Sequence, residues 1–235
     1  MPPRPLNEIA EACVRVFMSK GYRSAGISDV AKALKLSHGA VYTYADSKQA
    51  LLYLALLRVL DPPALESLEL PVKAPTPEAI VATVEGWAER QRGVASFGFS
   101  EVLSRPSPHT SQEAVVELEA IVDQIYGFIA EHRFVLNLFA RCAEELPALA
   151  QWYFVEQRRG TFAALGDFLD ARIKAGVLRA VPDVPTAARF IVESIAWFAM
   201  HRHGDPDSAM LTDENSRRTV LALVPAAFLP SGESR

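Results

Sequence analysis

The 235-residue chain has little that would support covalent, redox or metal chemistry. Its two cysteines, Cys13 and Cys142, lie far apart, each in an apolar-periodic segment, and read as buried free thiols rather than a disulfide or metal pair. It has no Gly-rich phosphate loop, no nucleophile elbow and no His/Cys/Asp cluster at metal-ligand spacing. His201 and His203 lie two residues apart, a spacing that points imidazoles to different faces of a helix, and Glu144-Glu145 reads as a surface pair. No catalytic residue, metal or cofactor is therefore expected, and the chain is not expected to be an enzyme. Strand signals are almost missing: there are no alternating β-branched runs and no Asn-Gly or Asp-Gly hairpin. No apolar run approaches the ~18 residues of a membrane helix, and the most apolar segment, Val220–Leu229, is broken by Pro225. The N-terminus lacks the apolar core of a secretory signal. These absences leave an all-α chain expected in the cytoplasm, with no membrane partner.

Net charge is small but unevenly distributed. The net charge is −4, which alone argues against a nucleic-acid partner. Residues 1–60, however, carry eight basic and four acidic side chains, a net of +4, while the other 175 residues carry 16 basic and 24 acidic ones, a net of −8. A basic end on an acidic body is what a chain needs if that end meets phosphates.

Helical periodicity organises the chain. Ile9, Cys13, Val16 and Phe17 face one way with Glu11, Arg15 and Lys20 opposite, and Gly21 ends this first helix. A second short helix covers about Ile27–Leu34, with Gly26 as its N-cap and Asp29 near its positive end. Ser37 caps a third, His38–Tyr44, and an apolar run, Gln49–Leu60, follows Asp46 and Ser47. Residues 61–77 hold five prolines and mark the clearest boundary. Beyond it, helical patterns are expected at about 77–92, 94–104, 111–132, 134–144, 147–175, 185–203 and 214–229, with Pro147 placed to open a helix. The expected domains are a helix-turn-helix unit at 1–48, a connecting helix at 49–60, a Pro-rich linker at 61–77 and a larger body at 78–235.

The second and third helices have the character of a helix-turn-helix. Val30, Ala31 and Leu34 are placed to face inward, covered by Leu36 and Val41, and Ala31 is small where the helices approach. Gly39 and Ala40 leave the start of the third helix nearly bare. A major groove about 12 Å wide admits one helix, so a thin helix tip can reach base edges. Ser37, His38, Tyr42, Thr43 and Tyr44 supply hydroxyls, an imidazole and aromatic edges. Lys48 opens the next helix, where its charge and the free N–H groups can both face a phosphate. Tyr22 reads as core.

The run from Ile9 to Leu52 resembles the DNA-binding domain of the tetracycline-repressor (TetR) family. The resemblance is carried by Ile9, Val16-Phe17, Gly21-Tyr22, Asp29-Val30-Ala31, Leu36-Ser37-His38-Gly39, Val41-Tyr42, Tyr44 and Ser47-Lys48. It implies a homodimeric, ligand-responsive repressor on a palindromic double-stranded operator. It also implies DNA contacts at Ser28, Ser37, His38, Gly39, Ala40, Tyr42, Thr43, Tyr44 and Lys48. Three positions depart from the family pattern. Ala25-Gly26 stands where a hydroxyl pair is usual, with Ser28 a partial substitute. Lys35 stands where a turn glycine is common, and Ala45 where an aromatic is usual. An alternative is a helical small-molecule- or protein-binding module with weakened DNA binding.

The resemblance further implies that the larger body binds an effector and dimerises. Ala188, Val192, Ile195 and Ala199 form an apolar stripe, and Val220, Val224 and Ala227 another, both expected at a dimer interface. Aromatic residues crowd the middle helices, which suits an apolar or aromatic small molecule. Trp87, Phe97, Tyr126, Asn137, Arg141 and Trp152 are the expected ligand contacts. The spacing of residues 115, 118, 122, 125 and 129 reads as a packed face.

Overall fold

A computed structural model describes residues 4–91, 108–143 and 146–230. The predicted helix at 94–104, with the ligand candidate Phe97, and the Glu144-Glu145 pair lie outside the described residues. Among the described residues are ten α-helices and no strand. The chain divides into two compact units, Met1–Arg90 with Phe134–Val155, and Gln91–Arg133 with Glu156–Arg235. These units do not part at the Pro-rich segment.

The first unit is built on α1 (Leu6–Ser24) packed against α4 (Lys48–Leu60). Ile9, Ala10, Cys13, Val16 and Phe17 bury the stripe predicted for α1. Gly21 does break the helical geometry, at φ 74°, but the chain resumes helical turns to Ser24. In α4, Leu51, Leu52, Leu54, Leu56 and Leu57 are all buried, because α1 and α5 (Pro77–Arg90) cover different sides of it. Each such leucine contributes about 1.5–3 kcal/mol of apolar burial. Arg90 donates to the Leu60 carbonyl at 2.5 Å, tying the end of α5 to the end of α4.

The segment 61–77 is more ordered than a linker. Pro62–Ser67 form a 3-10 helix, the Leu70–Pro71 bond is cis, and Val72 is buried between exposed Pro71 and Lys73. Val72 forms an isolated parallel bridge with Ala45. The prolines exclude an α-helix there, yet still permit a single residue to dock.

The expected break near residue 133 is absent, and α6 runs unbroken from Ser111 to Ala143. Glu131-His132-Arg133 interrupts the apolar pattern but contains no proline or glycine, so nothing interrupts the backbone hydrogen bonds. The predicted helix at 147–175 is instead α7 (Pro147–Ala150), a π-helical stretch (Gln151–Arg158) and α8 (Arg159–Lys174).

In the second unit, residues 115, 118, 122, 125 and 129 of α6 are buried as predicted. α9 (Val184–Ala199) packs on α8 and on α10 (Asp213–Ala226). Two buried arginines have structural partners. Arg172, 2% exposed, pairs with Glu117 at 2.8 Å and lies over the Phe168 ring. Arg202 donates to the Phe198 and Leu211 carbonyls at 2.8 Å each and pairs with Asp213. His201 and His203 sit in the 3-10 turn after α9, and no group of metal-ligating side chains occurs among the described residues.

The packing corrects the dimer assignment. Ala188, Val192, Ile195, Ala199, Val220 and Val224 are all buried within the protomer, because they are the faces by which α9 and α10 join their own unit. Of the predicted interface, Ala227 alone is exposed. The apolar side chains that α9 and α10 leave open are Phe190, Trp197 and Leu223. Burial also pushes the Cys13 and Cys142 thiols up to about 12, and both are free and protonated. No helix among the described residues is long and apolar enough to cross a membrane.

Candidate nucleic-acid interface

α2 (Ile27–Leu34) starts at Gly26, whose N–H donates to the Asp29 carboxylate at 2.9 Å. Asp29 also takes a hydrogen bond from Lys20 at 2.5 Å. Lys20 first, and the Gly26 N–H second, hold its carboxyl below its ordinary value of 3.8. A depressed carboxylate pKa stabilises the fold above the unfolded value and stops doing so as pH falls through the lowered one. This cap is therefore complete at neutral pH.

The turn between α2 and α3 contains the only positive-φ non-glycine residue among those described, Lys35, at φ 53°, ψ 41°. Its N–H donates to the Lys32 carbonyl at 3.1 Å, and the Leu36 N–H to the Ala31 carbonyl at 2.9 Å. That pair of bonds is a Schellman ending, in which glycine is usual because a Cβ is strained in the left-handed region. The turn therefore keeps the glycine geometry without the glycine. Val30, Ala31, Leu34 and Val41 are buried as expected.

Ser37 caps α3 (His38–Val41) by accepting the Ala40 N–H at 3.1 Å. With the inner side of α3 fixed by Val41, the helix and the turn after it present His38, Gly39, Tyr42 and Thr43 to solvent. His38 and Tyr42 meet edge to face at 5.4 Å, so each ring orients the other. The Thr43 hydroxyl donates to the Ala40 carbonyl at 2.7 Å, which leaves its oxygen lone pairs outward. A Cβ placed on Gly39 would meet nothing within 4 Å. The fold itself does not require glycine there, and the bare site is open to an approach from outside. Ser28 and Ser37 are also exposed, and Ala40 is half-buried.

Two predicted contacts sit differently. Tyr44 is 7% exposed, its hydroxyl accepting the Arg4 N–H at 2.8 Å and its carbonyl the Val72 N–H at 2.8 Å. Its ring is buried and its carbonyl is held by Val72, so it supports the surface from beneath. Lys48 is half-buried at the start of α4, where the Ser47 hydroxyl oxygen caps the helix by accepting the Ala50 N–H. Its Nζ donates to the Arg23 carbonyl at 3.2 Å and lies 4.4 Å from the Tyr22 ring centroid. That ring, buried against Phe17, holds the ammonium by a cation–π contact and limits its sweep. The sequence showed the residue types here but not these two orientations, which depend on the Pro-rich segment and on α1.

The ligand candidates are divided between the units. In the first, Trp87 and Trp152 are buried and meet the Phe139 ring at 5.7 and 6.0 Å, while Asn137 is half-buried and Arg141 exposed. In the second, Tyr126 is buried with its hydroxyl 3.5 Å from the Phe198 carbonyl. Among the described candidates, Trp87 and Trp152 are brought together on the Phe139 ring. A separate open groove of about 710 Å³ runs along α10, lined by Glu119, Asn215, Arg218 and Leu223, and shares no residue with that set.

Comparison with known proteins agrees with this geometry. Residues 9–53 match the family described as bacterial regulatory proteins, tetR family. An uncharacterized HTH-type transcriptional regulator, YuxN of Bacillus subtilis (strain 168), is 36% identical over 69 residues, which are 29% of this chain and 24% of that protein. The chain thus aligns with about a quarter of that relative's length. Two solved structures share the fold over nearly all of both chains. They are the TetR family transcriptional regulator PfmR of Thermus thermophilus (18% identical, 97% and 96% covered, TM-score 0.54), and the ketosteroid transcriptional regulator KstR2 of Mycobacterium tuberculosis (20% identical, 98% of each covered, TM-score 0.55). Residues 9–53 thus match the DNA-binding segment of the tetR family of bacterial regulatory proteins, and the all-helical fold is shared with these two regulators across nearly the whole chain.

Proposed function

We propose that the protein is a ligand-responsive repressor that binds a near-palindromic operator as a homodimer. One observation carries this reading: α3 and the turn after it expose His38, Gly39, Tyr42 and Thr43 around a tip that the fold leaves bare. In the complex, α3 enters the major groove, His38, Tyr42 and Thr43 face base edges and phosphates, and Lys48 meets the backbone with its remaining protons. Two such units read half-sites about one turn, ~34 Å, apart. Phe190, Trp197 and Leu223 are the apolar surface available to a second subunit. An apolar or aromatic effector would bind the state less suited to DNA, shifting affinity by about 5–150-fold. α4, with no proline or glycine within it and the Leu60 carbonyl held by Arg90, is the lever between effector and α3. Such a regulator works beside the chromosome, in the cytoplasm.

The departures from the family pattern do not favour a module with weakened DNA binding. Lys35 keeps the turn geometry, and Ala25 and Ala45 are fully packed. The test is titration of duplex DNA flanking the protein's own gene. Tight, salt-sensitive, sequence-dependent binding is expected, with Tyr42→Ala and Lys48→Ala each weakening it by ~1–3 kcal/mol and Lys48→Ala lowering the salt slope by about one. Equal affinity for that DNA and a random duplex at ~100 mM salt would sink the reading.

A further inference from the structure

We propose that the Pro-rich segment around Val72 is a positioning strap for the recognition helix, and that Val72 sets operator affinity without touching DNA; this rests on the DNA-binding reading above. α3 is four residues long and far too short to hold its own direction, so its two flanks must hold it. The N-terminal flank is the Schellman turn at Lys35 with the Ser37 cap. The C-terminal flank is Tyr44 to Asp46, and here the strap acts. The Val72 N–H donates to the Tyr44 carbonyl at 2.8 Å, and the Val72 carbonyl accepts the Asp46 N–H at 3.0 Å. The Tyr44 and Ala45 N–H groups reach back to the Val41 carbonyl at 2.9 and 3.1 Å. Residues 44–46 are thus clamped between α3 and the strap.

The side chain fixes the same register. Val72 is 4% exposed, whereas nearby Leu70 is 50% exposed. Val72 docks where the bridge partner, Ala45, has only a methyl group. Lys73 lies 3.7 Å from Asp46, but this pair is exposed, and such pairs contribute little. The holding is therefore by backbone and by the buried valine. Because the strap continues directly into α5, any shift of α5 reaches α3 through Val72 as well as through α4.

The test uses the full-length chain and a duplex selected by it from a random pool. Val72→Pro removes the donor to Tyr44. Hydrogen exchange at the Asp46 amide should accelerate, and the selected duplex should bind about tenfold more weakly, as expected when the aligned state of α3 falls to about a tenth. Affinity for an unselected duplex and the salt slope should stay as in the parent, since no phosphate contact is lost. Val72→Ile, which keeps the donor, and Lys73→Ala should each bind within about twofold of the parent. Should Val72→Pro fail to fold, Val72→Gly carries the test, since it loosens the strap while leaving the chain able to hydrogen-bond. Faster Asp46 exchange with selected-duplex affinity unchanged would overturn the proposal, as would unchanged exchange. Equal losses on both duplexes with a shallower salt slope would overturn it too, by making the strap a phosphate contact. A parent chain that selects no sequence would instead overturn the DNA-binding reading, and the proposal with it.

Discussion

α3, four residues long, and the turn that follows it present His38, Gly39, Tyr42 and Thr43 outward, whereas the sixteen-residue α9 turns Ala188, Ile191, Val192, Ile195, Ala196 and Ala199 inward. Both belong to amphipathic patterns that the sequence displays openly. They differ in where the unpatterned residues fall. On α3 these are the polar and bare positions that folding does not need, so they can serve a partner. On α9 they are Phe190 and Trp197, apolar side chains that folding has left uncovered. Periodicity thus identifies a buried face but not which neighbour buries it, and the informative residues are those outside the stripe.

The largest expected effect separates these two roles on α9. Ile195→Ala should destabilise the folded chain by about 2–5 kcal/mol, because it empties a fully buried site. Phe190→Ala should leave thermal unfolding of the separated subunit almost unchanged and instead weaken self-association, measured by light scattering across micromolar concentrations. Equal melting shifts for the two would erase the distinction. Around α3 the contrast is between its two tyrosines. Tyr44→Phe leaves the Arg4 N–H without its partner and should cost about 1 kcal/mol of stability. It should leave the salt slope of DNA binding alone, whereas Tyr42→Ala should reduce affinity with stability intact. The smallest effect concerns the turn: Lys35→Gly relieves a left-handed side chain and should raise stability by up to about 1 kcal/mol, read from urea unfolding.

Much of the first unit was legible because its signals are local. Gly26, Asp29, Ser37 and Ser47 specify caps within three residues of themselves, and all four act as caps or cap partners. The positive charge of residues 1–60 and the small Gly39-Ala40 tip are likewise local features. Tyr44 was not legible, since its orientation depends on Val72, 28 positions away, in a segment whose prolines read as a boundary. A signal did exist: Val72 is the one β-branched apolar residue of segment 61–77, at a place where a linker has no use for one. The dimer stripe misled for the reason already given, and the continuity of α6 was obscured by three polar residues that do not break a helix. The ligand set stayed unresolved because aromatic residues fill cores and line cavities with the same spacing. Trp87 and Trp152 pack on Phe139 in the manner of an ordinary core.

The central claim is that the bare tip of α3 serves what it meets and not the fold around it. Gly39→Ala tests this most directly, with thermal unfolding and affinity for the selected duplex measured on the same sample. An added methyl has open space in the free protein and improves helix propensity by about 1 kcal/mol, so stability should hold or rise. Affinity for the selected duplex should fall at least several-fold, as the methyl stands between the helix tip and the groove. Undiminished affinity in the stable variant would contradict the account.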